Sequence, residues 1–154
     1  MSERQLTTNE IDMLKKLYGN SIDYSKVTIK SSILPGDDAV TTFNTISFPP
    51  KDYRNDFTTD DISFKKWLVH EIAHVWQWQV QGKFTILNGV GNWIANGFSY
   101  DLYNYSINDD FNSMNIEQKA SVIADRFLLK NGYAHKIAQT VQPHHSTITI
   151  LIIY

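Results

Sequence analysis

Hydrophobic and polar residues alternate along the chain with two different periods, which predict its elements of secondary structure. Apolar residues recur every three to four positions over residues 8–18, 61–81 and 116–131, which predicts three amphipathic helices. Residues 27–33 and 41–48 are rich in β-branched and aromatic residues, which favours strands. One helix precedes the two strands and two helices follow them, so this order predicts an α+β fold.

Capping residues indicate where these helices begin and end. Thr7 with Glu10, and Asn115 with Gln118, have the spacing of a capping box, in which each side chain bonds the backbone amide of the other residue. Gly82 is available as the residue that ends the middle helix. We therefore expect the middle helix, which carries the chemistry described below, to end just before that glycine.

Three further segments carry weaker structural signals. Residues 35–38 read Pro-Gly-Asp-Asp and predict a turn, residues 93–101 predict a short helix, and residues 147–154 form an apolar, β-type run. The terminal run either adds a strand to the protein's own sheet or pairs with another chain. Because the sequence contains no internal repeat and no low-complexity linker, we expect residues 1–154 to form a single domain.

Composition and charge exclude several classes of protein. The 154 residues are 42% hydrophobic, carry a formal net charge of −2 and include no cysteine. A nucleic-acid binder needs a basic face, and disulfide scaffolds and thiol nucleophiles need cysteine. No apolar run approaches the roughly 20 residues of a membrane-spanning helix, and the first residues lack the apolar core of a secretory signal. We therefore expect no nucleic-acid partner and no membrane span, in a protein that is cytoplasmic or exported without a cleaved signal peptide.

The middle helix contains a pattern that is typical of a metal site, His70-Glu71-Ile72-Ala73-His74. Positions i and i+4 lie on one helical face about 5–6 Å apart, so both imidazoles can bind one metal ion. Zinc suits two neutral imidazoles, and it lowers the pKa of a bound water to about 7. Glu71 lies one position away from that face, where it can take the proton of such a water as a general base.

The alternative interpretation is a chance string on an ordinary buried helix. The chain has only five histidines, so such a string is uncommon by chance. Apolar residues also recur at helical spacing around the motif, which places it on an amphipathic helix. A metzincin would have a glycine and a third histidine further along this helix, but Gln77 and Val80 occupy those positions. The sequence therefore favours a zinc site outside the metzincin class.

A zinc site needs a third protein ligand, and Glu117 is the best candidate. The chain has only four glutamates, and Glu117 lies in the first turn of the last predicted helix. A carboxylate from a second helix, packed against the first, would complete a His-His-Glu set. The alternative is an acid that only stabilises the N-terminus of its own helix, by about 0.3–1 kcal/mol.

Asp125 is the rival for that ligand position, two turns further along the same helix. Its shorter side chain favours a supporting role, in which it orients one of the histidines through the free ring nitrogen. The alternative is a surface ion pair with a nearby lysine or arginine. Tyr100, Tyr103 and Tyr105 are candidates for stabilising an oxyanion, although packing is the more common role of a tyrosine.

Residues 69–77 and 115–125 together resemble the motifs of small gluzincins, the minimal zincin-type metallopeptidase domains of bacteria. Some of these domains occur beside Rhs and type VI secretion proteins. The resemblance covers about residues 27–131. It implies a zincin-like α+β fold with a small mixed sheet, an active-site helix and a second helix that carries the third ligand.

The resemblance also implies how the site works. A Zn²⁺ ion is held by His70, His74 and Glu117, and Glu71 is the catalytic base. The strand at residues 41–48 lies at the edge of the sheet and binds an extended peptide or protein substrate by strand addition.

Three functions are compatible with these features. The first is a zinc-dependent metallopeptidase that hydrolyses peptide bonds through a metal-activated water. The second is a catalytically weak or inactive zinc-binding module that acts as a secretion-associated binding or effector protein. Its support is the small size of the chain, which leaves little room for the helical subdomain of larger gluzincins. The third is a toxin that cleaves peptide links of the cell wall, which differs from the first only in its substrate.

Overall fold

The structure of the protein is a computed structural model, and the part of the chain that it describes comprises residues 2–33, 38–82, 103–106 and 108–133. Three of the four residues of the predicted turn at 35–38 lie outside this part, as do the predicted helix at 93–101 and the apolar run at 147–154. Within the described residues, no helix is long and apolar enough to cross a membrane.

Four short strands form one mixed sheet with the order β1-β2-β4-β3. The strands are β1 (Glu3–Gln5), β2 (Thr28–Ser31), β3 (Val40–Thr42) and β4 (Thr45–Phe48). The central pair, β2 and β4, is parallel, whereas β1 and β3 pair antiparallel with their neighbours. The small mixed sheet that the sequence led us to expect is therefore present, with β3 at one edge.

The prediction of a single strand over residues 41–48 was wrong, because the chain reverses direction in the middle of that range. Phe43 adopts a left-handed backbone conformation with a φ of 57°, and residues 43–44 form the turn between β3 and β4. A bulky aromatic residue is rarely found in this conformation, so the sequence carried no turn signal there. As a result, of the two strands in this range, β3 lies at an edge of the sheet and β4 is an inner strand.

Strand β1 was not predicted at all. It has three residues, Glu3–Gln5, and two of them are exposed. So short and polar a segment shows no alternation of apolar and polar residues from which a strand could be predicted. Its pairing with β2 is a property of the folded chain, because Glu3 lies opposite Lys30 and Gln5 opposite Thr28.

The three main helices agree with the prediction to within one residue at each end. They are α1 (Thr8–Tyr18), α2 (Ile62–Gln81) and α3 (Ile116–Lys130). Both predicted capping boxes are present, one at Thr7 with Glu10 and the other at Asn115 with Gln118. Gly82 has a φ of 81° and ends α2, as the sequence predicted.

Helix α2 lies at the centre of the fold, packed against both the sheet and α3. Its apolar side joins a core that includes fully buried residues of β2, β4 and α3. These core residues include Ile29, Ile46, Phe48, Leu68, Ile72, Ala120 and Ala124. The two alanines of α3 are small, which lets the backbones of α2 and α3 approach closely and brings the polar residues of both helices together.

Candidate metal centre

Helix α2 presents two histidines on the same face. His70 and His74 are one turn apart, and the centroids of their rings are 5.1 Å from each other. The helix begins at Asp61, whose carboxylate accepts hydrogen bonds from the amides of Ser63 and Phe64. This cap satisfies two backbone amides of the first turn and fixes where the helix begins.

Glu117, which lies in the first turn of α3, meets both histidines. Its Oε2 atom is 3.2 Å from Nε2 of His70 and 3.3 Å from Nε2 of His74. One ligand atom of each of the three residues lies within 4.8 Å of the others, so they can hold one metal ion. The structure thus brings together the three residues that the sequence singled out as ligands.

The charges of this cluster interact strongly. Burial lowers the pKa of His74, but the hydrogen bond and negative charge of Glu117, helped by the charge of Glu71, outweigh it and raise that pKa to about 9. Burial likewise raises the pKa of Glu117, but the hydrogen bonds from His70 and His74 outweigh it and hold that pKa well below its ordinary value. The charged form of Glu117 and the protonated form of His74 therefore stabilise each other in this partly buried cluster.

Glu71 lies beside this cluster and is buried, with 5% of its surface exposed. Its Oε2 accepts a hydrogen bond of 2.7 Å from the hydroxyl of Thr41 on β3. The sequence analysis missed this role of Thr41. Thirty positions separate the two residues, and a threonine in a strand carries no signal of such a contact.

A second contact that the sequence did not reveal involves Gln77, one turn after His74. Its side chain is fully buried. Its Oε1 lies 3.0 Å from Nδ1 of His74, and its Nε2 donates to the carbonyl oxygen of Ile116 at 2.9 Å. In the sequence Gln77 served only to exclude a metzincin, whereas in the fold it links α2 to the start of α3.

Asp125 is buried and makes two close polar contacts. Its Oδ2 accepts a hydrogen bond of 2.6 Å from the hydroxyl of Tyr105, and its Oδ1 lies 2.8 Å from Nζ of Lys66. Burial and the Asp125 carboxylate raise the pKa of Tyr105 well above its ordinary value. Asp125 therefore ties the segment at residues 103–106 to α2 and α3. Nδ1 of His74 contacts Gln77 and not Asp125. The expected action of Asp125 on a histidine stays a prediction.

Two tyrosines that were candidates for oxyanion stabilisation lie in the described part of the chain. The ring of Tyr103 is next to His70, with 6.2 Å between the ring centroids, and 41% of this residue is exposed. Tyr105 is engaged with Asp125. Tyr100 lies outside the described residues. Of the two, Tyr103 is therefore the one whose ring lies beside a proposed metal ligand.

Comparison with known proteins gives one curated relative and one solved structure. The chain is 29% identical over 144 residues to the type VI secretion system spike protein VgrG2b of Pseudomonas aeruginosa, a match that covers 89% of this chain and 14% of that protein. The structure of the effector domain of P. aeruginosa VgrG2b is similar with a TM-score of 0.70 and 28% identity, over 91% of this chain and 84% of that chain. No protein family model matches. The chain is thus similar, over most of its length, to a domain that makes up a small part of a spike protein.

Proposed function

We propose that this chain is a secretion-associated effector domain that holds a Zn²⁺ ion through His70, His74 and Glu117 and hydrolyses peptide bonds. The observation that carries the proposal is the convergence of these three ligands on one point, beside the buried carboxylate of Glu71. A zincin-like interpretation of the α+β fold is part of the same proposal.

The set of donor atoms fits zinc. Two imidazole nitrogens and one carboxylate oxygen are ligands of catalytic zinc sites, which leave a fourth position open. With zinc–ligand distances of about 2.0–2.2 Å, neighbouring ligand atoms of a tetrahedral site lie about 3.3–3.6 Å apart. The distances of 3.2 and 3.3 Å from Oε2 of Glu117 to the two histidines lie close to the lower end of this range.

Bound zinc would supply Lewis acidity, which polarises a substrate carbonyl and lowers the pKa of a coordinated water. Glu71 is the group placed to accept the proton of the attacking water and to pass it to the leaving amine. It follows His70 directly in α2, so its carboxylate lies beside the ligand face of the helix. The hydrogen bond from Thr41 restrains that carboxylate in this position.

The sheet edge beside Glu71 suits an extended substrate. Strand β3 (Val40–Thr42) is one of the two edge strands of the described sheet, and Thr41 on this strand contacts Glu71. A peptide that adds to this edge through backbone hydrogen bonds would lie next to the proposed base. We therefore propose a peptide or protein substrate, and peptide links of the cell wall belong to the same chemical class.

Association with a secretion system is supported by the comparisons, independently of any hydrolysis. The names of the relatives describe a type VI secretion spike protein and its effector domain. This favours the second candidate function, a zinc-binding effector module that acts by binding a partner and does not hydrolyse peptides. Metal content and catalysis must therefore be tested separately.

Metal content tests the site itself. We expect the protein purified without chelator to contain about one zinc ion per chain. His74→Ala and Glu117→Ala should each lose most of it, because two protein ligands hold zinc poorly. Glu3→Ala is the matched control, since Glu3 lies exposed on β1. A wild-type protein that takes up no zinc even from excess ZnCl₂ contradicts the proposal.

Catalysis is tested with Glu71→Gln, assayed on a mixture of unstructured peptides. Loss of a general base lowers the rate by about 100-fold or more. We expect this loss with the zinc content unchanged, and full activity in Glu3→Gln. If zinc-loaded wild-type protein cleaves no peptide bond, while a spike protein or another secretion component captures it, the binding module is the better description.

A further inference from the structure

The side-chain amide of Gln77 lies between the two helices that carry the proposed ligands. We infer that it sets the position of the hydrogen on the His74 ring, so that Nε2 faces the metal as a ligand. This inference rests on the proposed metal site. Gln77 is fully buried, with its Oε1 3.0 Å from Nδ1 of His74 and its Nε2 2.9 Å from the carbonyl oxygen of Ile116.

The backbone carbonyl of Ile116 determines which way this amide points. A carbonyl oxygen can only accept a hydrogen bond, so the group that faces it must be the NH₂ of Gln77. The other end of the amide is then its oxygen, which also can only accept. The orientation therefore follows from the chemistry of the partners.

The orientation of the amide in turn determines the state of His74. Because an acceptor oxygen faces Nδ1, that ring nitrogen must carry a hydrogen. A neutral imidazole with its hydrogen on Nδ1 presents the lone pair of Nε2. Nε2 is the atom that lies 3.3 Å from Oε2 of Glu117, inside the proposed ligand set.

The same amide also links the two parts of the ligand set. Ile116 directly precedes Glu117, so a single side chain holds the ring of His74 and the first turn of α3 together. Hydrogen bonds to the ring nitrogen that faces away from a metal orient the ligand and raise its basicity. Gln77 is therefore a positioning residue, which acts through His74 and Glu117 without touching metal or substrate.

Zinc affinity of the full chain, measured by competition with a chelator, tests this role. Gln77→Met keeps a side chain of similar length and removes both hydrogen bonds. Loss of such a partner typically weakens metal binding by roughly 10- to 100-fold, and we expect a weakening in this range. The matched control is Gln79→Met on the same helix, because Gln79 bonds Asp23 and Asn44 and no proposed ligand. This control should bind zinc as the wild type does.

Gln77→Glu separates the two hydrogen bonds. It retains an oxygen that can accept from Nδ1 of His74 and loses the donor to Ile116. We expect this variant to recover most of the zinc affinity that Gln77→Met loses. If it binds zinc as weakly as Gln77→Met, the effect comes from the contact with Ile116, and the assignment of the His74 hydrogen is overturned.

Nitrogen NMR of ¹⁵N-histidine-labelled, zinc-loaded wild-type protein provides a test that needs no variant. We expect the Nδ1 signal of His74 to show a bonded hydrogen and the Nε2 signal to show metal coordination. The opposite assignment, or a Gln77→Met variant with wild-type zinc affinity, overturns the inference and leaves the metal site standing. A wild-type protein that binds no zinc overturns the proposed function and, with it, this inference.

Discussion

The hydroxyl of Thr41 on the edge strand donates a hydrogen bond of 2.7 Å to the carboxylate of Glu71 on the central helix. This contact joins the sheet edge, where a peptide could add, to the residue proposed as general base. It also ties β3 to α2 at the residue that directly follows His70. The position of the Glu71 carboxylate therefore depends on both the sheet and the helix.

We predict that Thr41→Val lowers the rate of peptide hydrolysis by about tenfold, which corresponds to about 1.4 kcal/mol, the size of one net hydrogen bond. Valine has nearly the same shape but cannot donate to Glu71, so zinc content should not change. Steady-state kinetics and metal analysis check this. Thr42→Val, at the exposed neighbouring position of β3, should behave as the wild type. Equal losses of activity in Thr41→Val and Thr42→Val would show that any substitution in β3 lowers the rate and that the hydrogen bond to Glu71 has no specific role.

Zinc affinity should depend on pH, because zinc and a proton compete for Nε2 of His74. Glu117 and Glu71 raise the pKa of His74 to about 9 in the metal-free protein. Below that pH, zinc must displace one proton, so the affinity should fall about tenfold for each unit of pH decrease. Calorimetric titrations in two buffers with different ionisation enthalpies count the protons released. Release of no proton at pH 7 would contradict this prediction.

The same raised pKa predicts how the metal-free protein responds to alkaline pH. A histidine whose pKa is higher in the folded state stabilises the fold fully below its ordinary pKa of 6.5. That contribution decreases as the pH rises and is lost as the pH passes about 9. Urea unfolding of the chelator-treated protein at pH 6.5, 7.5 and 9.5 measures it. His74→Gln should remove this dependence of stability on pH. A wild-type free energy of unfolding that does not change between pH 6.5 and 9.5 would contradict the prediction.

Tyr103→Phe tests whether the tyrosine beside His70 takes part in catalysis. The substitution keeps the ring that lies 6.2 Å from the His70 ring and removes only the hydroxyl. Loss of a donor to a developing oxyanion costs about 100-fold in kcat, and we expect a decrease of that order with unchanged zinc content. Tyr53→Phe, whose ring lies under Arg4, is the control. Unchanged kinetics would assign Tyr103 a packing role.

The ion pair between Arg4 and Glu10 predicts a loss of stability that is independent of the metal site. Glu10 is fully buried and accepts two hydrogen bonds of 2.8 Å from Arg4, which also packs over Phe57. Arg4→Met leaves a buried carboxylate without its partner, so the free energy of unfolding should fall by about 3 kcal/mol.

The exposed pair of Lys26 and Asp23 provides the comparison for that measurement, because such surface pairs contribute less than about 1 kcal/mol. Urea denaturation of Arg4→Met and Lys26→Met gives both values. Zinc content should be normal in the two folded variants. A smaller decrease in the free energy of unfolding for Arg4→Met than for Lys26→Met would show that the buried pair does not stabilise the position of α1.

Local features were the most predictable from sequence. Helix α2 and its two histidines follow from apolar periodicity and from the geometry of positions i and i+4, which a helix imposes on any sequence. Glu117 was proposed as the third ligand for a different reason. The two histidines needed one more protein ligand, and a chain with few glutamates offers few candidates. The capping box at Asn115 placed Glu117 in the first turn of a helix.

Contacts between distant segments could not be predicted. The chain reverses direction at Phe43, whose backbone adopts a left-handed conformation. A phenylalanine does not predict such a turn. Thr41 and Gln77 act through partners on other elements, and their side chains are equally common in positions without such a role. Asp125 was expected to orient a histidine or to form a surface pair, and its buried contacts with Tyr105 and Lys66 depend on where those elements pack.

The sequence by itself determined which residues are candidate metal ligands and which helices carry them, because backbone hydrogen bonding fixes the spacing of neighbouring turns. Only the tertiary structure decided that α2, with His70 and His74, packs against α3, with Glu117. It also decided that Thr41 bonds Glu71 and that the side-chain amide of Gln77 joins α2 to α3. Those relationships arise from the packing of α2 on the sheet and on α3. Packing depends on the shapes of whole surfaces and not on any local pattern.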